Sequence, residues 1–259
     1  MEYRRSPSPF AIPLLFTVFS ALLCLFVWVL GAWASEGQEA STPTHTPAET
    51  AAADGVEPNA EGELPPWRVV VIDAGHGGED AGASSAAGLH EKDVNLAVAI
   101  ILRDLLEMNG VPTVMTRTED KLLYDRNVNY EGRKKVLDLA ARMNAVSATE
   151  GALLVSIHMN AFPQTQYHGM QVWYGTHDPR SAEIAAAMRE AGLLLQPDNR
   201  RQTKAADSGI FLLDRAQTPA VLVECGFLSN PAEAAKLGDP TYQRQVALAI
   251  FSGIMAEMG

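Results

Sequence analysis

The chain has 259 residues, 47% of them hydrophobic and 20% charged, with 20 Lys and Arg against 31 Asp and Glu for a net charge of -11. That balance excludes a general nucleic-acid binder, and the apolar fraction excludes wholesale disorder and collagen-like repeats. With only two cysteines, Cys24 and Cys225, neither a disulfide scaffold nor a four-thiolate zinc site is available, so any metal has to be held by His and carboxylates.

The first element is an uncharged run over residues 6–35, almost wholly apolar from 12 to 34 and long enough to cross a bilayer. Arg4 and Arg5 precede it and Glu36 and Glu39 follow it, which leaves the N-terminus in the cytoplasm and exports the rest. Ala32-Trp33-Ala34 resembles a signal-peptidase site, yet the stretch exceeds the ~7–15 residues of a signal core, which favours a retained membrane anchor over a cleaved signal peptide. The expected location is the extracytoplasmic face of the membrane or the cell wall.

Residues 35–66 turn to Ala, Thr, Pro, Gly and seven acidic side chains with no basic one. Such a segment buries too little apolar surface to fold and reads as a disordered, self-repelling tether. His45, within it, is a solvated bystander. The remaining domain, residues 67–259, carries 18 basic and 23 acidic residues, so its own charge says little about substrate.

This domain is long enough for one core. Apolar runs of strand length occur at 68–72, 112–116, 153–157, 170–174 and 220–223. Between them lie helical patterns. The first, 92–108, places Val94, Ala97, Val98, Ile101, Leu102 and Leu105 on one face and stops at Asn109-Gly110. Others are expected at 131–148, 179–195, 231–236 and 240–258, with a loop through 208–212. The alternation predicts a single α/β domain with a mostly parallel central sheet flanked by helices on both faces.

The strand ends carry the chemistry. Asp73-Ala74-Gly75-His76-Gly77-Gly78 follows the first strand, Glu91 opens the first long helix, Ser156-Ile157-His158-Met159-Asn160-Ala161 ends the third strand, and Val223-Glu224-Cys225-Gly226-Phe227 ends the fifth. Parallel strands deliver their C-terminal ends to one edge, where ligands bind. His76, His158 and Glu224 should converge there, with Glu91 joining from its helix N-terminus. Two imidazoles and a carboxylate form a catalytic zinc shell with a position left for water, and a further carboxylate can carry its proton. No compact HExxH-type motif supports this, so from the residues alone a metal site and purely structural roles both stand open. A carboxylate ending the apolar run 221–223 must be paired or coordinating. Cys225 reads as a small buried residue, and His90, His168 and His177 as surface or loop residues, His90 being the one most easily mistaken for a ligand.

These four segments, together with Met115-Thr116-Arg117 as a fifth and continuing from Glu91 through Lys92-Asp93-Val94-Asn95 and from Phe227 through Leu228-Ser229-Asn230, resemble in order the zinc-dependent N-acetylmuramoyl-L-alanine amidases of bacterial cell-wall turnover. The resemblance covers residues 68–259 and departs at Ala74, where proline is more usual. It implies an α/β fold, Zn²⁺ ligands His76, Glu91 and His158, and Glu224 as the catalytic carboxylate. Asn160 is a candidate for orienting substrate. The implied reaction is hydrolysis of the amide between N-acetylmuramic acid and L-alanine in peptidoglycan. The small anchored architecture and the stretch from Arg117-Thr118-Glu119-Asp120 to Arg133-Lys134 look like amidases that mature spore-cortex peptidoglycan, with a vegetative role as the alternative. No inserted helix plugging the site is expected between His158 and Glu224. The alternatives are a zinc peptidase acting within the stem peptide and a non-catalytic peptidoglycan-binding module. An activating protein partner stays open.

Overall fold

The computed structural model describes residues 67–124, 127 and 132–258. The anchor and tether expected over residues 1–66 lie outside them. Among the described residues no helix is long and apolar enough to cross a membrane.

Six strands form one sheet: β1 (Val69–Ala74), β2 (Thr113–Met115), β3 (Ala152–Asn160), β4 (Gln171–Tyr174), β5 (Lys204–Ala205) and β6 (Ala220–Phe227), in the order β2-β1-β3-β6-β4-β5. The helices are α1 (Glu91–Met108), α2 (Lys134–Ser147), α3 (Arg180–Leu195), α4 (Phe211–Arg215), α5 (Pro231–Leu237) and α6 (Pro240–Ala256). All neighbouring strands pair in parallel except β4 and β6, which are antiparallel, so the sheet is mixed. The connection explains the exception. Residues 161–170, between β3 and β4, contain no helix, whereas a parallel return needs a crossover of a dozen or more residues.

Three differences from the sequence reading matter for the site. β1, β3 and β6 run on past their apolar cores, because ladder hydrogen bonds are indifferent to side-chain polarity. Asp73 therefore pairs with Ser156, and His158 with Glu224, inside the sheet. The 208–212 segment, expected to be a loop, leads into the short helix α4. β5, two residues long, was too brief to leave a periodic signal.

Successive side chains on a strand point to opposite faces. Val70, Ile72, Leu153, Val155, Ile157, Val221 and Val223 form the larger core beneath α1, α3 and α6. Val71, Leu154 and Leu222 form a smaller one with Leu212 and Leu213 of α4 and Val146 of α2. By the same alternation Asp73, Ser156, His158 and Glu224 belong to the thinner face. The polar residues thus sit where two helices leave a cleft, while the thick face supplies most of the buried apolar area that stabilises the domain.

Helices α3 and α6 pack closely enough that one position admits no side chain. A Cβ on Gly253 would lie 2.5 Å from the Met188 Cα. Gly253→Val should therefore push the helices apart and lower the unfolding free energy by about 1–3 kcal/mol. Urea unfolding followed by circular dichroism checks this, and an unchanged midpoint would contradict the packing.

Candidate metal centre

Beyond β1 the chain turns sharply at Gly75 and His76. His76 has φ of 60°, the only positive value at a non-glycine residue among those described. This left-handed conformation costs a non-glycine residue roughly 1–2 kcal/mol, so the surroundings must impose it. Buried guanidinium groups do so. Arg117 donates from Nε to the Ala74 carbonyl at 2.8 Å and from Nη2 to that of Gly75 at 2.9 Å. Arg142 donates from Nη1 to the Ala74 carbonyl and from Nη2 to that of His76, each at 2.7 Å. Asn95 Nδ2 adds a bond to the Gly75 carbonyl at 3.1 Å.

Arg142 is itself fixed by two carboxylates, Asp73 at 2.6 Å and Asp138 at 2.7 Å. Burial alone would raise the Asp73 pKa, but Arg142 and hydrogen bonds from Ser156 and Thr116 hold it below the usual carboxylate range.

Gly75 is required by proximity. A Cβ there would stand 2.3 Å from the His158 imidazole. Without it the His76 and His158 rings meet edge to face, their centroids 5.1 Å apart.

Glu91 completes the group from the first residue of α1, where the helix dipole favours negative charge. Its Oε1 accepts from His158 Nδ1 at 2.9 Å and from the Met159 N–H at 3.1 Å, and lies 3.2 Å from His76 Nε2. Its Oε2 accepts from the Ala83 N–H at 2.8 Å. Burial raises the Glu91 pKa, but its bonds with His158 and His76 outweigh that and hold it far below normal. On the other side of His76, Nδ1 donates to Asp80 Oδ2 at 2.9 Å, while Nε2 faces Glu91. One potential ligand atom from each of His76, Glu91 and His158 lies within 4.8 Å of the others.

Glu224 sits beside His158 across the β3–β6 ladder and lines a cavity of about 250 Å³ with His76, His158 and Asp80. Its Oε2 is buried and makes no hydrogen bond among the described residues. Burial, aided by the Glu91 charge, pushes its pKa up to about 7, against the opposing influence of the two histidines. A donor set of two imidazoles and one carboxylate, beside an unpartnered buried carboxyl oxygen, fits a divalent cation with an adjacent water.

The other residues singled out in the sequence lie apart. Asn160 ends β3, its backbone carbonyl accepting from the Leu228 N–H at 2.8 Å, and its side chain does not line the cavity. His90 immediately precedes α1 without capping it through its side chain, which bonds Ser84 at 2.8 Å, and His177 bonds the Asp214 carbonyl at 2.9 Å. His168 accepts from Arg201 through its backbone. Cys225 is fully buried, and burial raises its thiol pKa. Sequence reasoning missed Asp80, Asp138 and Arg142, and gave no role to Asp73, Asn95 and Arg117, which lie within the segments it singled out. Only Asp80, four residues beyond His76 in the same Gly-rich loop, offered a local signal.

A family model described as N-acetylmuramoyl-L-alanine amidase matches residues 70–256. The chain is 36% identical over 196 residues to the germination-specific N-acetylmuramoyl-L-alanine amidase of Bacillus subtilis, covering 73% of this chain and 82% of that protein. Among solved structures, the CwlD amidase from Clostridioides difficile, in complex with the GerS lipoprotein, superposes with a TM-score of 0.70 at 38% identity, covering 73% of this chain and 98% of that one. The catalytic domain of CwlV from Bacillus (Paenibacillus) polymyxa var. colistinus gives 0.62 at 29% identity, with 73% and 97% covered. The chain belongs to the N-acetylmuramoyl-L-alanine amidase family, whose reaction removes stem peptides from the glycan of peptidoglycan.

Proposed function

We propose that hydrolysis is zinc-dependent, with His76, Glu91 and His158 holding the ion and Glu224 carrying the proton. The observation that carries this reading is the convergence of those three ligand atoms within 4.8 Å beside the unpartnered Glu224 Oε2. Zinc, when bound, supplies Lewis acidity that polarises the amide carbonyl and acidifies water. Asp80 keeps the His76 Nε2 lone pair available by accepting from Nδ1. Glu224, with a pKa near neutrality, takes a proton from the attacking water and passes it to the alanine nitrogen as the C–N bond breaks.

The cortex-directed subtype is the reading we favour, supported by the likeness to a germination-specific amidase and to CwlD. That CwlD is seen with a lipoprotein supports an activating partner here. The uncharged run over residues 6–35 supports export past a membrane anchor, which places the enzyme beside its substrate.

Digestion of purified peptidoglycan tests the reaction. Intact stem peptides beginning with free L-alanine are expected by mass spectrometry, lost on chelation and restored by zinc. Glu224→Gln should lower kcat by about 10²–10⁴-fold while zinc still binds. Shortened peptides would instead mean a peptidase, and tight wall binding without cleavage a binding module.

Gly75→Ala tests the ligand set, because its Cβ would displace the His158 ring. Zinc affinity, measured by competition with a chromogenic chelator, should fall by about 10–100-fold. Unchanged affinity would remove His158 from the set.

A further inference from the structure

Helix α2 turns one face toward the cleft. Lys135, Asp138, Leu139 and Arg142 recur at helical spacing, and all four line the cavity that contains His76, His158 and Glu224. Two of them are consumed by the framework. Arg142 binds Asp73, Asp138 and the carbonyls of Ala74 and His76, while Asp138 also accepts from the Leu123 N–H at 2.6 Å. Lys134, one position earlier, reaches elsewhere, to Glu79 at 2.6 Å. Lys135 differs from all of these. It is exposed, its ammonium forms no hydrogen bond or ion pair with the described residues, and it acts on Asp80 only through space.

The opposite wall is apolar, built from Ile210, Phe211 and Leu212 at the start of α4 and Leu222 of β6. The cleft therefore has an apolar side, a cationic rim and a proton-carrying carboxyl at its inner end. Its volume of about 250 Å³ falls below the ~300–1,000 Å³ typical of pockets for drug-sized ligands, which suits a dipeptide-sized part of a substrate better than a disaccharide. In an extended peptide the residue after the freed alanine lies about 7 Å from the cut amide, within reach of a long side chain on the rim.

We propose that the cleft between α2 and α4 takes the stem peptide and that Lys135 selects substrates by pairing with a carboxylate on the residue following alanine. This rests on the amidase reading and deepens it, since it makes Lys135 a specificity determinant and leaves the glycan outside the cleft.

Two synthetic muramoyl peptides test it, identical except that this carboxyl is free in one and a primary amide in the other. With the full-length chain, kcat/KM should favour the acid by about 5-fold, the strength of an exposed ion pair. Lys135→Ala should erase the preference by slowing the acid alone, and Lys135→Glu should invert it. Because Lys135 is exposed, neither change disturbs the core. Equal rates for acid and amide in the wild type would overturn the proposal. So would an equal slowing of both by Lys135→Ala, which would mean that Lys135 acts through Asp80 on His76. Calorimetric binding of the two released peptides reads the same preference without turnover. If Lys135-dependent binding of the acid survives while neither substrate is cut, the amidase reading fails and the subsite stands.

Discussion

Three successive backbone carbonyls, those of Ala74, Gly75 and His76, are held by buried cationic and amide donors, and the placement of His76 depends on them. A residue with φ of 60° does not hold that conformation by preference. Here Arg117 and Arg142 grip the chain on both sides of the turn. The imidazole is thereby fixed before any ligand arrives, so little ordering entropy remains to oppose cation binding.

The same clamp ties the site to the fold. Arg142 comes from α2 and Asp73 from β1, and both are almost fully buried. A buried ion pair contributes little net stability, because desolvation offsets the attraction, yet removal of one partner costs about 3–5 kcal/mol by stranding the other. The network Asp73–Arg142–Asp138 is therefore better understood as a device that sets where α2 lies than as a source of stability. Since the next cleft-facing position toward the N-terminus of that helix is Lys135, the clamp that orients His76 also places the cationic rim.

Much of this was legible in the sequence, for reasons that also explain what was not. Val69–Ile72, Leu153–Ile157 and Ala220–Val223 announce themselves because strands buried on both faces must be continuously apolar. His76, His158 and Glu224 stand out because polar groups at strand ends are poorly explained by packing alone, whereas Glu91, at a helix start where the dipole favours an acid in any case, stands out only through the family resemblance. The reversed direction of β4 follows from a helix-free connection, a signal present in the chain that apolar run lengths do not express. Arg142 and Asp138 left none, because in sequence a buried arginine four residues from an aspartate is indistinguishable from a solvated pair on a helix surface. Only the long-range closure onto Asp73, 69 residues away, reveals it.

Glu91 and Glu224 show how one site gives two carboxylates opposite charge behaviour. Both are buried, and desolvation pushes both toward the neutral form. Glu91 lies at a helix N-terminus and meets the His158 and His76 imidazoles, which keep it ionised, and it also accepts from the backbone N–H groups of Ala83 and Met159. Glu224 has a buried oxygen with no donor, and the Glu91 charge adds to its desolvation, so it titrates near neutrality. A permanently charged carboxylate suits holding a cation, whereas one that changes state near pH 7 suits moving a proton. The roles proposed for them thus rest on the partners each carboxylate meets rather than on the residue type, which is the same in both.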